Sequence, residues 1–95
     1  MLSSQRMLIA QSDWKYRVTL ESRYSKQGYD VTTVDNGVRC LLELRDRIPD
    51  VLLLDRKLLW GGAAGVLAVM NDDAMLQSVA VVLTGDAQDS SAPKR

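Results

Sequence analysis

Asp55 ends an apolar run, Val51-Leu52-Leu53-Leu54, that follows Pro49-Asp50. An ionised carboxylate needs water, hydrogen-bond donors or a cation around it. One placed directly after buried-type residues therefore marks the exit of a strand toward solvent, and in open α/β sheets those exits line the ligand crevice. Three other runs end in polar residues. Met7-Leu8-Ile9-Ala10 leads into Gln11-Ser12-Asp13, Tyr29–Val34 into Asp35, and Val79–Leu83 into Thr84. A carboxylate can serve as a nucleophile, and clustered oxygens suit a hard cation. The plainer alternative stays open, because any such sheet needs polar residues where its strands meet water.

The remaining composition removes several kinds of chemistry. The 95 residues include no histidine and one cysteine, Cys40, which excludes a zinc cluster, a histidine-based triad and an internal disulfide. Cys40 lies among Leu41, Leu42 and Leu44 and reads as a small core residue. Twelve basic residues balance 12 acidic ones without a basic stripe, so nucleic-acid binding by this chain is not expected. No glycine-rich phosphate loop follows the first apolar run, which argues against a nucleotide-binding enzyme. No leader pattern and no membrane-length apolar run is present. The expectation is a cytoplasmic protein that is not an enzyme.

The elements that must position Asp55 follow from periodicity. Met7–Ala10 suits a strand buried on both faces. Ser12 or Asp13 can cap a following helix, in which Tyr16, Thr19, Leu20 and Tyr24 share one face. Gly28 stops that helix, and Tyr29–Val34 is β-prone. Asn36-Gly37 alone would signal a hairpin. The helical spacing of Cys40, Leu41, Leu44 and Ile48 instead makes Asp35 or Asn36 the cap of a second helix, which Pro49 ends. Val51–Leu54 is the third strand. Residues 56–64 read as a loop, 65–71 as a third helix and 79–83 as a fourth strand. Alternation at this spacing predicts a doubly wound α/β parallel sheet with right-handed crossovers.

These segments resemble a response-regulator receiver domain. Arg6–Ala10 is similar to its first strand, Gln27-Gly28-Tyr29-Asp30-Val31 to its helix stop and second strand, Pro49–Asp55 to its phosphoacceptor segment, and Val81-Val82-Leu83-Thr84 to its fourth strand with a switch hydroxyl. The resemblance runs from Arg6 to Asp86. It implies a flavodoxin-like sheet of order 2-1-3-4-5, phosphoryl transfer from a histidine kinase or phosphotransfer protein to Asp55, a phosphoryl contact from Thr84, and assistance by Mg2+. The implied metal ligands are Asp55, the backbone carbonyl of Lys57 and an acidic pair after the first strand.

The departures are as informative. The acidic-pair positions hold Gln11 and Ser12, both neutral, and Asp13 lies one residue further on. Mg2+ binding should therefore be weak, with Asp13 or Asp35 as partial compensation. The resemblance also implies a fifth strand with a Lys-Pro pair and a last helix; neither is found, so the expected sheet order is 2-1-3-4. Lys57 is the one lysine near the site, and Leu58-Leu59-Trp60-Gly61-Gly62 replaces the family's proline. Trp60 reads equally as a partner-binding anchor or as a cover folded over the core.

Two functions follow: a phosphorelay receiver with Asp55 as acceptor and a degraded metal site, or a phosphorylation-independent pseudo-receiver that acts as an interaction module. The expected domain covers residues 1–86, with a disordered tail over 87–95. Without a fifth strand, Val79–Leu83 is an uncharged sheet edge that recruits another strand. A homodimer through that edge is the favoured outcome, beside a fragment of a larger protein or a tail folded over the edge.

Overall fold

A computed structural model describes residues 4–85; Asp86 and the tail expected over 87–95 lie outside the described residues. The chain runs β1 (Arg6–Ala10), α1 (Trp14–Lys26), β2 (Asp30–Val34), α2 (Gly37–Asp46), β3 (Val51–Asp55), α3 (Gly62–Asn71), a 3-10 turn (Ala74–Leu76) and β4 (Ala80–Thr84). The four strands pair in parallel in the order β2-β1-β3-β4. This is the doubly wound α/β sheet that the alternation of elements predicts.

The central strands β1 and β3 are buried on both faces, so their alternate residues feed two separate cores. Leu8, Ala10, Leu52 and Leu54 pack with Cys40 and Leu44 of α2 and with Ala63, Val66 and Met70 of α3. Met7, Ile9 and Leu53 pack with Leu20 of α1. Each fully buried leucine of this kind contributes about 2 kcal/mol of transfer free energy. Cys40 belongs to the first core, and burial pushes its thiol up to about 12, which fits an inert packing role.

Side-chain caps set the helix starts. The Asp13 carboxylate accepts from Lys15 N and Tyr16 N at 3.0 and 3.3 Å. Asn36 accepts from Arg39 N at 2.9 Å, which makes Asn36-Gly37 a helix start. Gly28 follows α1 with φ of 100°, the left-handed conformation that glycine tolerates.

Four details correct the sequence reading. On α1, Tyr16 and Thr19 are exposed. The helix meets the sheet along a narrow stripe of buried Leu20 and partly buried Tyr24, whose ring packs edge-on against Tyr29 at 5.8 Å. Helix α2 ends at Asp46, three residues before Pro49, because Arg47 is already extended. Helix α3 begins at Gly62 rather than at Gly65, after Trp60 and Gly61 turn the chain with positive φ. Strand β4 begins one residue late, because Val79 N–H donates to Leu76 O at 3.2 Å and so belongs to the preceding turn.

Candidate functional site

The four strand ends bring Gln11-Ser12-Asp13, Asp35, Asp55 and Thr84 to one edge of the sheet. Asp55 ends β3 and is in register with Thr84 of β4. Arg56 N–H donates to Thr84 O at 3.0 Å, and Leu58 N–H to Asp55 O at 3.2 Å. Next to Thr84, Gly85 has φ of 81°, and a Cβ placed there would meet the Asp55 carboxylate. Glycine at this position thus gives the carboxylate its room.

Gln11 continues β1 beyond Ala10, which pairs with Leu54, so it lies beside Asp55. Gln11 and Asp55, 3% and 6% exposed, are the two buried polar residues among those described. Asp13 N–H donates to Gln11 Oε1 at 3.0 Å. This orients the amide, and Nε2 is a buried donor without a protein partner.

Ser12 is a junction. Its hydroxyl donates to Asp35 O at 2.9 Å and accepts from Leu59 N–H at 2.9 Å. Leu59 O in turn accepts from Gly37 N–H at 2.8 Å. A Cβ on Gly37 would run into the Trp60 carbonyl oxygen, so glycine allows the β3–α3 loop to lie against the start of α2. Three segments that adjoin the strand ends are thereby tied by one serine.

The sequence reading did not find this junction, nor Arg17. The Arg17 guanidinium donates to the carbonyls of Gln11 and Ser12 at 2.7 and 3.4 Å, placing a positive charge at the end of β1. Neither contact leaves a local sequence signal, since a helical arginine and a loop serine are ordinary on the surface.

The described residues do not fit a magnesium centre. Among them no group of three or more acidic, cysteine or histidine side chains is placed to hold a metal ion. Asp13 is engaged in the α1 cap. Asp35 accepts from Asn36 Nδ2 at 3.0 Å and faces Arg39 at 3.7 Å. Gln11 offers its donor, not its oxygen, and Arg17 adds a charge that repels a cation. The partial compensation expected from Asp13 or Asp35 is therefore not supported by where these carboxylates sit. Lys57 is exposed in the turn after β3.

Trp60 is 71% exposed, so it does not fold over the core. With Val38 and Leu42 it lines a shallow cleft of about 420 Å³.

Solved structures share this architecture. The receiver domain of a sensor histidine kinase from Pseudomonas aeruginosa PAO1, which carries a magnesium ion coordinated in its active site cleft, superposes with a TM-score of 0.84 at 18% identity over 94% of this chain and 74% of its own. A sensor protein from Polaromonas sp. JS666 gives 0.83 at 19% identity over 92% and 70%, and the receiver domain of a Francisella response regulator 0.76 at 17% over 90% and 71%. The chain has the receiver-domain fold. No protein-family model and no curated protein matches this receiver-fold sequence. No helix among the described residues is long and apolar enough to cross a membrane.

Proposed function

We propose that this chain is a receiver-like signalling domain that works through protein–protein contact, with metal-assisted phosphoryl transfer to Asp55 lost. One observation carries the reading: the serine that stands at an acidic-pair position holds the β2–α2 and β3–α3 loops together through its hydroxyl. Loops tied in this way favour one fixed surface over a switching one. Exposed Val38, Leu42, Leu59 and Trp60 supply the apolar anchors that contact surfaces use. The partners in this reading are proteins of a two-component system, a histidine kinase or a phosphotransfer protein, and a second copy of this chain at the β4 edge. The domain is then a cytoplasmic binding module and not an enzyme.

A second reading keeps Asp55 as phosphoacceptor and Thr84 as the phosphoryl contact. It is favoured by the register that sets them side by side across β3 and β4. Incubation with a small-molecule phosphodonor and Mg2+, followed by intact mass measurement, separates the two. The proposed function predicts no mass gain. A gain of one phosphoryl group that disappears in Asp55→Asn would establish the second reading instead.

A further inference from the structure

Asn36-Gly37 is the dipeptide whose hairpin signal the fold overrules, and the candidate site does not use its chemistry. Asparagine is thermolabile. The backbone nitrogen of the following residue can attack its side-chain amide carbon, and a glycine there leaves that nitrogen unshielded by any side chain. The nitrogen gives its proton to solvent and bonds to Cγ. The side-chain amide takes up a solvent proton and leaves as ammonia, and a cyclic imide remains. Water then opens the imide at one carbonyl or the other, giving aspartate or isoaspartate.

Contacts set both residue types. A Cβ on Gly37 would run into the Trp60 carbonyl oxygen, which fixes glycine there. Asn36 caps α2: its Oδ1 accepts from Arg39 N–H at 2.9 Å, and its Nδ2 donates to Asp35 Oδ1 at 3.0 Å. Aspartate would supply the cap but not the donor, and it would set a second carboxylate against Asp35. The fold therefore calls for the dipeptide that chemistry makes labile.

The same contacts hold the reaction off. Gly37 is buried, and its N–H donates to Leu59 O at 2.8 Å, so the nucleophile is engaged. Both polar atoms of the Asn36 amide are engaged as well. Imide closure needs the Asn36 Cβ and the Gly37 nitrogen eclipsed about the Asn36 Cα–C bond, whereas ψ of 170° keeps them staggered. Leu59 in turn is held through its N–H by the Ser12 hydroxyl at 2.9 Å.

We infer that Asn36-Gly37 is a deamidation site kept closed by the Ser12 junction, and that its modification unties that junction. Opening of the β3–α3 loop takes Leu59 O away from Gly37 N–H and frees the nitrogen to attack. Local opening of this kind, rather than global unfolding, sets the rate. Aspartate at position 36 replaces a donor with a carboxylate facing the Asp35 carboxylate, and the like charges repel. Isoaspartate lengthens the backbone by a methylene and moves Gly37 off Leu59 O. Asp35 O accepts from the Ser12 hydroxyl at 2.9 Å, so either product disturbs Ser12 from the β2 side. The consequence for the apolar surface of Val38, Leu42 and Trp60 rests on the proposed function; the chemistry at Asn36 does not.

Incubation of the folded full chain at mildly alkaline pH tests the site. Peptide mass mapping follows conversion at Asn36, with isoaspartate counted by enzymatic methylation. Asn71, the other asparagine, precedes Asp72 and serves as an internal reference. Conversion at Asn36 should be slow in the folded chain and fastest in denaturant. Ser12→Ala, with native circular dichroism, should speed it roughly tenfold through loss of a hydrogen-bonding partner. Asp13→Ala removes the α1 cap, away from the junction, and should leave the rate near that of the parent chain. Asn36→Asp makes one product directly, and amide exchange at Gly37 and Leu59 should quicken in it while Leu54 stays protected. Conversion in the folded parent as fast as in denaturant overturns the inference, as does a Ser12→Ala rate equal to the parent's. Equal acceleration by Asp13→Ala and Ser12→Ala overturns it too, because it assigns the reaction to global unfolding. Unchanged exchange in Asn36→Asp overturns the claim that modification unties the junction. None of these readouts involves Asp55, so this experiment and the phosphodonor experiment can fail separately.

Discussion

At the end of β3, Asp55 keeps a buried carboxylate with Thr84 in register beside it and Gly85 making room. One strand over, at the end of β1, Gln11, Ser12 and Asp13 are engaged in internal hydrogen bonds: a helix cap, a loop junction and an oriented amide. Both ends derive from the same strand geometry, and both sit at the crevice edge of the sheet. The difference lies in what their oxygens face. The β3 end presents a buried carboxylate. At the β1 end the polar groups are committed to contacts that hold the scaffold. Strand ends of one receiver fold can thus differ in what their polar groups face.

Substitutions that disturb one end and leave the other alone sharpen this contrast. The largest effect is expected from Gly85→Ala. It forces a side chain into a left-handed backbone and against the Asp55 carboxylate, at a cost of about 2 kcal/mol; chemical denaturation reads the loss. Ser12→Ala should cost somewhat less, about 1–2 kcal/mol, because Leu59 N–H and Asp35 C=O lose a shared partner. Its distinctive mark is local: amide exchange at Leu59 and Gly37 speeds up while Asp55 and Leu54 stay protected. The smallest effect belongs to Asp13→Ala, about 1 kcal/mol from the lost α1 cap. Asp13→Asn or Asp13→Ser should recover most of it in thermal melts. Recovery by a neutral residue would mark Asp13 as a cap rather than a metal ligand.

The fold was legible because its signals are local and periodic. Apolar runs of strand length alternate with helical spacing, and Gly28, Asn36 and Pro49 punctuate them. Boundaries moved where a tertiary contact took over, as at Val79, which closes a turn, and at Gly62, where positive-φ residues start α3 early. The Asp55 half of the candidate site was legible in position, since a charge stands there after four apolar residues. The other half was readable only as an absence, Gln11 and Ser12 in place of acids. What replaces those acids depends on Ser12 reaching Leu59, 47 residues away, and on Arg17 folding back over the end of β1. No window of sequence contains both partners of the Ser12–Leu59 bond. Trp60 was ambiguous for a similar reason, because its exposure is set by the backbone turn through Gly61 and by Gly37 beneath it.

Adding charge at the end of β1 tests the contrast most directly. The double variant Gln11→Asp/Ser12→Asp places two carboxylates beside Asp55, and its affinity for Mg2+ should exceed that of the unmodified chain on the order of a hundredfold. With a small-molecule phosphodonor and Mg2+, intact mass should then show one added phosphoryl group on the double variant, lost again with Asp55→Asn, and none on the unmodified chain. Full phosphorylation of the unmodified chain would contradict the account at the β1 end. A double variant that binds Mg2+ and gains no mass would contradict it at the β3 end.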